Sequence, residues 1–284
     1  MIVKTSARQQ GFTLLELLVV IGIIGLLAAV AVPALNNMRK SDASVSAVRQ
    51  LLDDAGRARQ LAISRHTTVY MIFCPTNFWN DPAYESAIKA LPTPQQQEQE
   101  RVRGTNLFNK QLTGYAFVTL RSVGEQPGAA VPEYVGPWHS LPDGAFIATT
   151  NKLYLASNKS IRVNDPASGR FYDVYGFSVT NGIPFPSEDA YDQANRGRRF
   201  VPVPYIAFNY LGQLISGQPG QDEYIPVARG TVGRSRDPET RVYRQALPQL
   251  VENPPGNSTN AFNLIHIDRL TGRARLIQQE ISGL

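Results

Sequence analysis

The amino-acid sequence predicts an α+β protein in which one long N-terminal helix packs on an antiparallel, β-rich C-terminal domain. Three observations lead to this prediction. An apolar run fills residues 12–35, an amphipathic helical pattern continues to about Ser64, and the rest of the chain consists of short strand-like segments separated by turn-forming residues. Because the helical periodicity precedes the strand-like segments, we expect the helix and the sheet to occupy separate parts of the chain.

The run from Phe12 to Leu35 is long enough to cross a membrane as one helix. Glu16 is its only charged residue, and at about 1.5 Å per residue the helix reaches roughly 36 Å, against about 30 Å for a bilayer core. A cleaved secretory signal is the alternative, since two basic residues precede the run and residues 29–31 resemble a small-residue cleavage site. The length of the run and the cost of burying a carboxylate favour the spanning helix with a dedicated role for Glu16.

The segment from Gly11 to Val20, GFTLLELLVV, resembles the processing site of type IV prepilins and type II secretion pseudopilins. The resemblance implies that a prepilin peptidase cuts after Gly11 and methylates the new amino terminus of Phe12. Glu16 lies one helical turn from that amine, so it can pair with its own terminus or with that of a neighbouring subunit. The resemblance implies that the second pairing drives addition of the subunit to a filament. Alternatively, the carboxylate of Glu16 lies near one membrane face and reaches into water. Pro33, which removes a backbone hydrogen bond, is expected to kink the helix or to mark the membrane exit.

The resemblance implies a pilin-like fold and a division of the chain into four parts. Residues 1–11 would be a leader that the peptidase removes, 12–35 a transmembrane helix, 36–64 the amphipathic half of the same helix, and 65–284 a periplasmic domain. The protein would then be a single-pass protein of the inner membrane until it enters a filament. Basic residues flank the run on both sides, so the positive-inside rule does not decide its orientation.

The amphipathic half of the helix carries an apolar stripe on which the globular domain is expected to pack. Its members recur at spacings of three and four: Leu35, Met38, Val45, Val48, Leu52, Ala55, Ala58 and Ala62. A first strand follows at 67–73. Residues 75–110 are interpreted as a surface insertion, with a short helix over 81–90 and a glutamine-rich helix or loop after it.

The β-rich part is predicted from segments rich in β-branched and aromatic residues. These are 115–123, 145–149, 152–156, 172–179, 205–209, 264–267 and 274–277. One later segment, 238–247, has a helical pattern. The stretches 208–212 and 265–276 resemble the closing strands of H-type minor pseudopilins and FimT-like minor pilins, although the insertion at 75–110 and the segment 184–204 make this chain larger than a usual member.

Composition and motifs give no sign of catalysis or of a bound cofactor. The formal charge of +5 falls to +3 when the leader removes Lys4 and Arg8, which is mildly basic. The single cysteine, Cys74, cannot form an internal disulfide and is expected at a buried strand end. The three histidines are isolated, and no nucleophile elbow or phosphate-binding loop is present, so we expect no enzyme activity, no metal and no cofactor.

Arginine residues are clustered at 196–199, 234–244 and 269–275. In the second cluster, Arg234, Arg236 and Arg241 are the candidates for contacts with nucleic acid. FimT-like proteins of natural transformation are thought to contact DNA through basic residues, and the resemblance extends that role to these positions. The alternative, which the modest net charge favours, is a solvated loop whose arginines pair with Asp237 and Glu239.

The sequence therefore predicts a structural minor pilin or pseudopilin subunit of a type II secretion or type IV pilus-like filament. Its partners would be other pilin subunits through the N-terminal helix, the prepilin peptidase, and secreted cargo or an outer-membrane channel. Two alternatives remain open. One is a DNA-binding minor pilin of an uptake pilus, and the other is a membrane-tethered enzyme with a pilin-type anchor.

Overall fold

A computed structural model of the protein describes residues 14–121, 131–165, 169–188, 201–260 and 263–277. For Glu16 and residues 30–42, the structure describes the helical backbone and not the side chains. The chain divides into two compact units, Met1–Asp42 and Ala43–Leu284. The described residues confirm the predicted α+β class, with a long N-terminal helix followed by antiparallel sheets.

The helices and strands are introduced here in chain order. The helices are α1 (Leu14–Ser64), α2 (Pro82–Lys89), α3 (Pro94–Leu107) and α4 (Asn257–Asn260). The strands are β1 (Val69–Phe73), β2 (Gly114–Thr119), β3 (Glu133–Tyr134), β4 (His139–Ser140), β5 (Ala145–Ile147), β6 (Ser160–Asp165), β7 (Arg170–Tyr175), β8 (Ser178–Thr180), β9 (Val203–Phe208), β10 (Glu223–Gly233), β11 (Gln249–Glu252), β12 (Asn263–Ile267) and β13 (Ala274–Ile277).

Helix α1 ends at Ser64, and its portion in the second unit packs through small side chains. The buried apolar positions are Ala47, Val48, Leu51, Ala55, Ala58 and Ala62. Alanines at this face let the sheet approach the helix axis closely, because they carry no side chain beyond Cβ. The expected stripe is wrong at Val45, which is exposed, and Leu51 rather than Leu52 is the fully buried leucine.

Two antiparallel sheets form the body of the second unit. The first has the order β3-β2-β1-β9-β8, with β4 also paired to β2. The second has the order β11-β10-β12-β13, with β5 also paired to β10. Strands β6 and β7 form a separate two-stranded ribbon.

The first sheet is buried on both faces. Met71, Phe73 and Phe117 belong to the core cluster that contains the α1 stripe, whereas Ile72 and Val118 belong to a second cluster. Alternate residues of a strand point to opposite faces, so these clusters lie on the two sides of the sheet. The sheet is therefore the middle layer of the unit.

The segment 75–110 contributes buried side chains to the second cluster, on the face of the first sheet opposite the α1 stripe. This corrects the prediction of a surface insertion. Its apolar side chains Phe78, Tyr84, Ile88, Leu107 and Phe108 are buried in the second cluster. The short helix predicted over 81–90 is present as α2, and the glutamine-rich stretch belongs to α3. The polar glutamines concealed the packing role, because the buried residues lie before and after them.

Two other expectations are wrong in detail, and one strand was missed. The strand expected over 152–156 is absent, and Thr149–Leu153 forms a π-helical turn that places Lys152 in the interior. The segment 238–247 is not helical: a turn at 238–240 is followed by mostly irregular backbone. The longest strand, β10, was not predicted, since Pro226 and two glycines disguise its pattern.

Candidate assembly site

The residues predicted to direct processing lie at the start of the chain. Gly11 and Phe12 lie outside the described residues. Glu16 and Pro33 lie within α1. The salt bridge expected for Glu16 and the kink expected at Pro33 stay predictions.

The first part of α1 presents an uncovered apolar surface. Every described side chain from Leu14 to Ala29 is exposed, and the large ones range from 45% exposed at Val20 to 84% at Leu14. Burial of apolar surface contributes about 25 cal/mol per Å², so such a surface favours contact with lipid or with another protein. Among the residues whose side chains are described, no helix is both long and apolar enough to span a membrane.

A buried polar network fixes the second part of α1 on the first sheet. The hydroxyl of Tyr115 donates to Asp54 Oδ2 at 2.5 Å, and His139 Nδ1 lies 3.1 Å from the same oxygen. Gln50 Nε2 donates to the Tyr115 hydroxyl at 2.8 Å and to the Ser140 carbonyl at 2.9 Å. Burial, reinforced by the Asp54 carboxylate, raises the pKa of Tyr115. The phenol is therefore held protonated as the donor.

Two hairpin turns also meet α1 at its C-terminal end. Arg59 Nε donates to the carbonyl of Gly212 at 3.2 Å and to that of Thr271 at 2.7 Å. Gly212 and Gly272 have φ values of 77° and 62°, and a Cβ on Gly272 would lie 2.1 Å from the Gly212 carbonyl oxygen. One arginine side chain therefore joins the turns of two stretches, 208–212 and 265–276, that resemble the closing strands of minor pseudopilins and minor pilins.

The three arginines proposed for nucleic-acid contact differ in environment. Arg234 donates to the Gln111 carbonyl at 3.0 Å and to Thr113 Oγ1 at 2.9 Å, and burial lowers its pKa. Arg236 lies over the ring of Tyr243, with Cζ 4.3 Å from the ring centroid, and Arg241 is exposed. Of the three, Arg234 contributes to internal packing. The cluster at 196–199 lies outside the described residues.

The structure also brings together a buried charge pair that the sequence did not predict. Lys152 Nζ forms a salt bridge with Glu223 Oε2, and the side chains are 0% and 2% exposed. Burial lowers the pKa of Lys152, which Glu223 opposes, and Lys152 Nζ also donates to the Tyr175 carbonyl at 3.0 Å. The partners are too far apart in the sequence for any local pattern to reveal them.

Cys74 and His266 both have polar contacts within the described residues. Cys74 is buried beside β1, as predicted, and burial raises the pKa of its thiol, so the reactive thiolate is disfavoured. His266 Nε2 lies 2.8 Å from Asp222, and its Nδ1 accepts from Arg275 Nε at 2.8 Å. Within the part of the chain that the structure describes, no group of three or more histidine, cysteine, aspartate or glutamate side chains could hold a metal ion.

Comparison with known proteins identifies the N-terminal segment. Residues 6–32 match the family model described as the prokaryotic N-terminal methylation motif. The match supports a pilin-like protein with a prepilin-type motif, and the α+β architecture is consistent with a pilin-like fold. The search of curated proteins gives no match, and neither does the search of solved structures.

Proposed function

We propose that the protein is a structural minor pilin or pseudopilin subunit, cut after Gly11, methylated on Phe12 and assembled into a filament through its N-terminal helix. The match of residues 6–32 to the methylation motif carries this proposal. The motif contains the glycine, the phenylalanine and, four residues further on, the glutamate that the processing and assembly steps need. In this proposal the protein acts as a building element and not as an enzyme.

The uncovered apolar surface of α1 supports an anchoring role. We propose that residues 12–35 hold the precursor in the inner membrane and that the second unit lies in the periplasm. Side chains such as Leu14 and Leu26 are exposed in the single chain and would be covered by lipid before assembly. In a filament, the helices of neighbouring subunits would cover the same surface. Movement of the subunit from the membrane into the filament would then leave little apolar area in contact with water.

The carboxylate of Glu16 would supply specificity to that transfer. A charged side chain within an apolar stretch costs a few kcal/mol unless it finds a partner. The methylated amine of Phe12 remains cationic, and a neighbouring subunit would bring such an amine to Glu16. A helix pair assembled in the correct register would satisfy both charges.

The proposal predicts the mass of the mature protein. When the precursor and a prepilin peptidase are produced together, the intact mass should equal that of residues 12–284 plus one methyl group. Gly11→Val should leave the full-length precursor, since a β-branched side chain hinders approach of the backbone to the peptidase. Gly22→Ala is a matched control, because nothing lies within 4 Å of a Cβ at that position. A mature chain that starts at Val32 would show an ordinary signal peptide and contradict the proposal.

A further inference from the structure

His266 of β12 lies at the centre of a buried polar contact in the second sheet. Its side chain is 5% exposed, and the residue pairs with Tyr224 of β10 on one side and with Arg275 of β13 on the other. Residues directly opposite one another in antiparallel strands point to the same face of the sheet. The ring of Tyr224 accordingly lies 5.0 Å from the imidazole, centroid to centroid. The imidazole is therefore held between two neighbouring strands.

The hydrogen bonds of His266 fix its charge and its tautomer. Arg275 Nε donates to Nδ1 of the imidazole at 2.8 Å. An arginine side chain has donors and no acceptor, so Nδ1 must carry a lone pair and no proton. The ring proton then lies on Nε2, which donates to Asp222 Oδ2 at 2.8 Å. The contact with Arg275 consequently requires the neutral imidazole.

Two carboxylates and one arginine act on the imidazole in opposite directions. Asp222 accepts from Nε2, and its other carboxylate oxygen accepts the backbone N–H of Arg269 at 2.8 Å. Asp268 is close enough for its charge to interact with that of His266, and a hydrogen bond from a threonine of the same turn lowers the pKa of Asp268. Both carboxylates favour a protonated ring, whereas the guanidinium of Arg275 opposes it.

The groups on β10 and β7 that pack beside the imidazole complete its surroundings. Burial raises the pKa of Tyr224 to about 12, so this phenol is neutral over the range in which a histidine ordinarily changes charge, about pH 5 to 8. Tyr172 of β7 packs behind Tyr224, with ring centroids 5.3 Å apart, and the charge of Asp173 also reaches Tyr224. The contact between β12 and β13 therefore depends on the charge of His266.

Few buried contacts hold β13 on the sheet. The described residues place this strand at one end of the second sheet, where it pairs with β12. Of its four residues, Arg275 and Leu276 are exposed, and Ala274 and Ile277 are partly buried. The contact with His266 is the side-chain hydrogen bond that β13 makes within the described part of the chain. A strand with so little buried apolar surface opens locally at a low cost in free energy, so one hydrogen bond can decide whether it is closed.

We propose that His266 is a pH-sensitive switch for β13, which is closed while the imidazole is neutral and opens when the imidazole is protonated. A proton on Nδ1 would face the Nε–H of Arg275, so two donors would meet and the hydrogen bond would be lost. Two positive charges would also come together. Asp222 would keep the imidazole in place, because a protonated ring still donates to it. The inference does not depend on the function proposed above.

Hydrogen–deuterium exchange of the mature full-length protein in detergent micelles tests the switch. Mass spectrometry follows the backbone amides of β13 at about pH 7.5 and about pH 5, with labelling times adjusted for the pH dependence of chemical exchange. We expect the protection of β13 to fall at least about tenfold at the lower pH, the effect of one hydrogen bond to a charged group. The amides of β1, in the first sheet, should keep their protection and serve as the internal reference.

Three variants separate the switch from a general loss of stability in acid. His266→Asn brings an amide oxygen to about the position of Nδ1, and this acceptor does not titrate, so β13 should be equally protected at both pH values. Arg275→Leu removes the donor and should leave β13 equally unprotected at both. His66→Asn is the matched control, because His66 is exposed and has a φ of 50° that asparagine tolerates. This control should lose protection of β13 in acid as the unchanged protein does.

The imidazole itself gives a second readout. Long-range proton–nitrogen NMR should show His266 with its proton on Nε2 at about pH 7.5, and with protons on both nitrogens as the pH falls towards about 5. The inference is overturned if Nδ1 carries the proton at the higher pH, if β13 of the unchanged protein is equally protected at both pH values, or if His266→Asn loses protection in acid as the unchanged protein does.

Discussion

At the scale of single residues, buried polar groups decide how α1 is seated on the sheet. Apolar burial is not directional, so the alanine stripe alone would tolerate small rotations and shifts of the helix. Hydrogen bonds have narrow geometry, and the Tyr115 hydroxyl joins Asp54 and Gln50 of the helix to β2. This network therefore selects one orientation of the helix.

Removal of the Tyr115 hydroxyl should destabilise the protein. Tyr115→Phe takes away one donor to Asp54 and the acceptor for Gln50, and loss of a hydrogen bond to a buried charged group costs about 1–3 kcal/mol. Urea denaturation of the mature protein measures this loss in the free energy of unfolding. Tyr210→Phe, at an exposed ring, is the control and should change stability by less than about 0.5 kcal/mol. Equal stabilities of the two variants would show that the network does not hold the helix.

Buried tyrosines should make the fold sensitive to alkali. Burial raises the pKa of Tyr84 and that of Tyr224 to about 12, whereas the unfolded chain ionises near 10. Their contribution is fully present below pH 10 and is lost as the pH rises towards 12, because the unfolded state then binds fewer protons than the native state. Urea midpoints from pH 8 to 11 measure the decline, and Tyr84→Phe should make it shallower. An identical slope for the variant would contradict this assignment.

At the scale of secondary-structure elements, glycine has opposite roles in α1 and in the hairpin turns. Gly56 lies in the exposed face of the helix with nothing within 4 Å of a Cβ, so its conformational freedom only weakens the helix. Gly272 has a left-handed conformation and touches the neighbouring turn at Gly212. There the absence of a side chain permits the contact that Arg59 completes.

Alanine substitutions at the two glycines should therefore act in opposite directions. Gly56→Ala should stabilise the protein by about 0.5–1 kcal/mol, the gain of helix propensity. Gly272→Ala should destabilise it by more than about 1 kcal/mol, since the added Cβ meets a backbone oxygen and the φ angle is unfavourable. Thermal or urea unfolding of both variants measures the difference. A stabilising Gly272→Ala would mean that the turns are not packed together.

At the scale of the whole molecule, the two units have different surfaces for different surroundings. The second unit buries large side chains in both sheets, while the described part of α1 in the first unit leaves its leucines and valines uncovered. A surface of that kind is completed only by lipid or by another protein. In the proposed function, lipid covers the helix before assembly, and the helices of neighbouring subunits cover it in the filament.

Glu16→Ala tests whether assembly depends on the carboxylate of Glu16. The variant should be cleaved, methylated and recovered in the membrane fraction as the unchanged protein is, because the peptidase site at Gly11 and Phe12 is intact. Cross-linking to other pilin subunits should be lost, because the partner for the terminal amine is missing. Glu98→Ala, at an exposed position in α3, is the control. Undiminished cross-linking would show that assembly does not depend on Glu16, whereas a lack of cross-links in the unchanged protein as well would favour the tethered-enzyme alternative.

Much of the fold was predictable because local patterns specify local structure. The end of α1 at Ser64 and the strands at 264–267 and 274–277 follow from helical spacing, β-branched residues and a threonine-glycine turn. Strand β10 was missed because Pro226 lies in the middle of it. The role of 75–110 was missed because a polar run separates its buried aromatic side chains.

The sequence by itself determined the N-terminal methylation motif, the class of the fold and the order of its main elements. These features depend on residues that are close together in the chain, so their patterns can be recognised without coordinates. Only the tertiary structure decided that Lys152 pairs with Glu223 and that Arg59 joins two turns. Those contacts join residues that are distant in sequence, and packing of complete layers brings them within bonding distance.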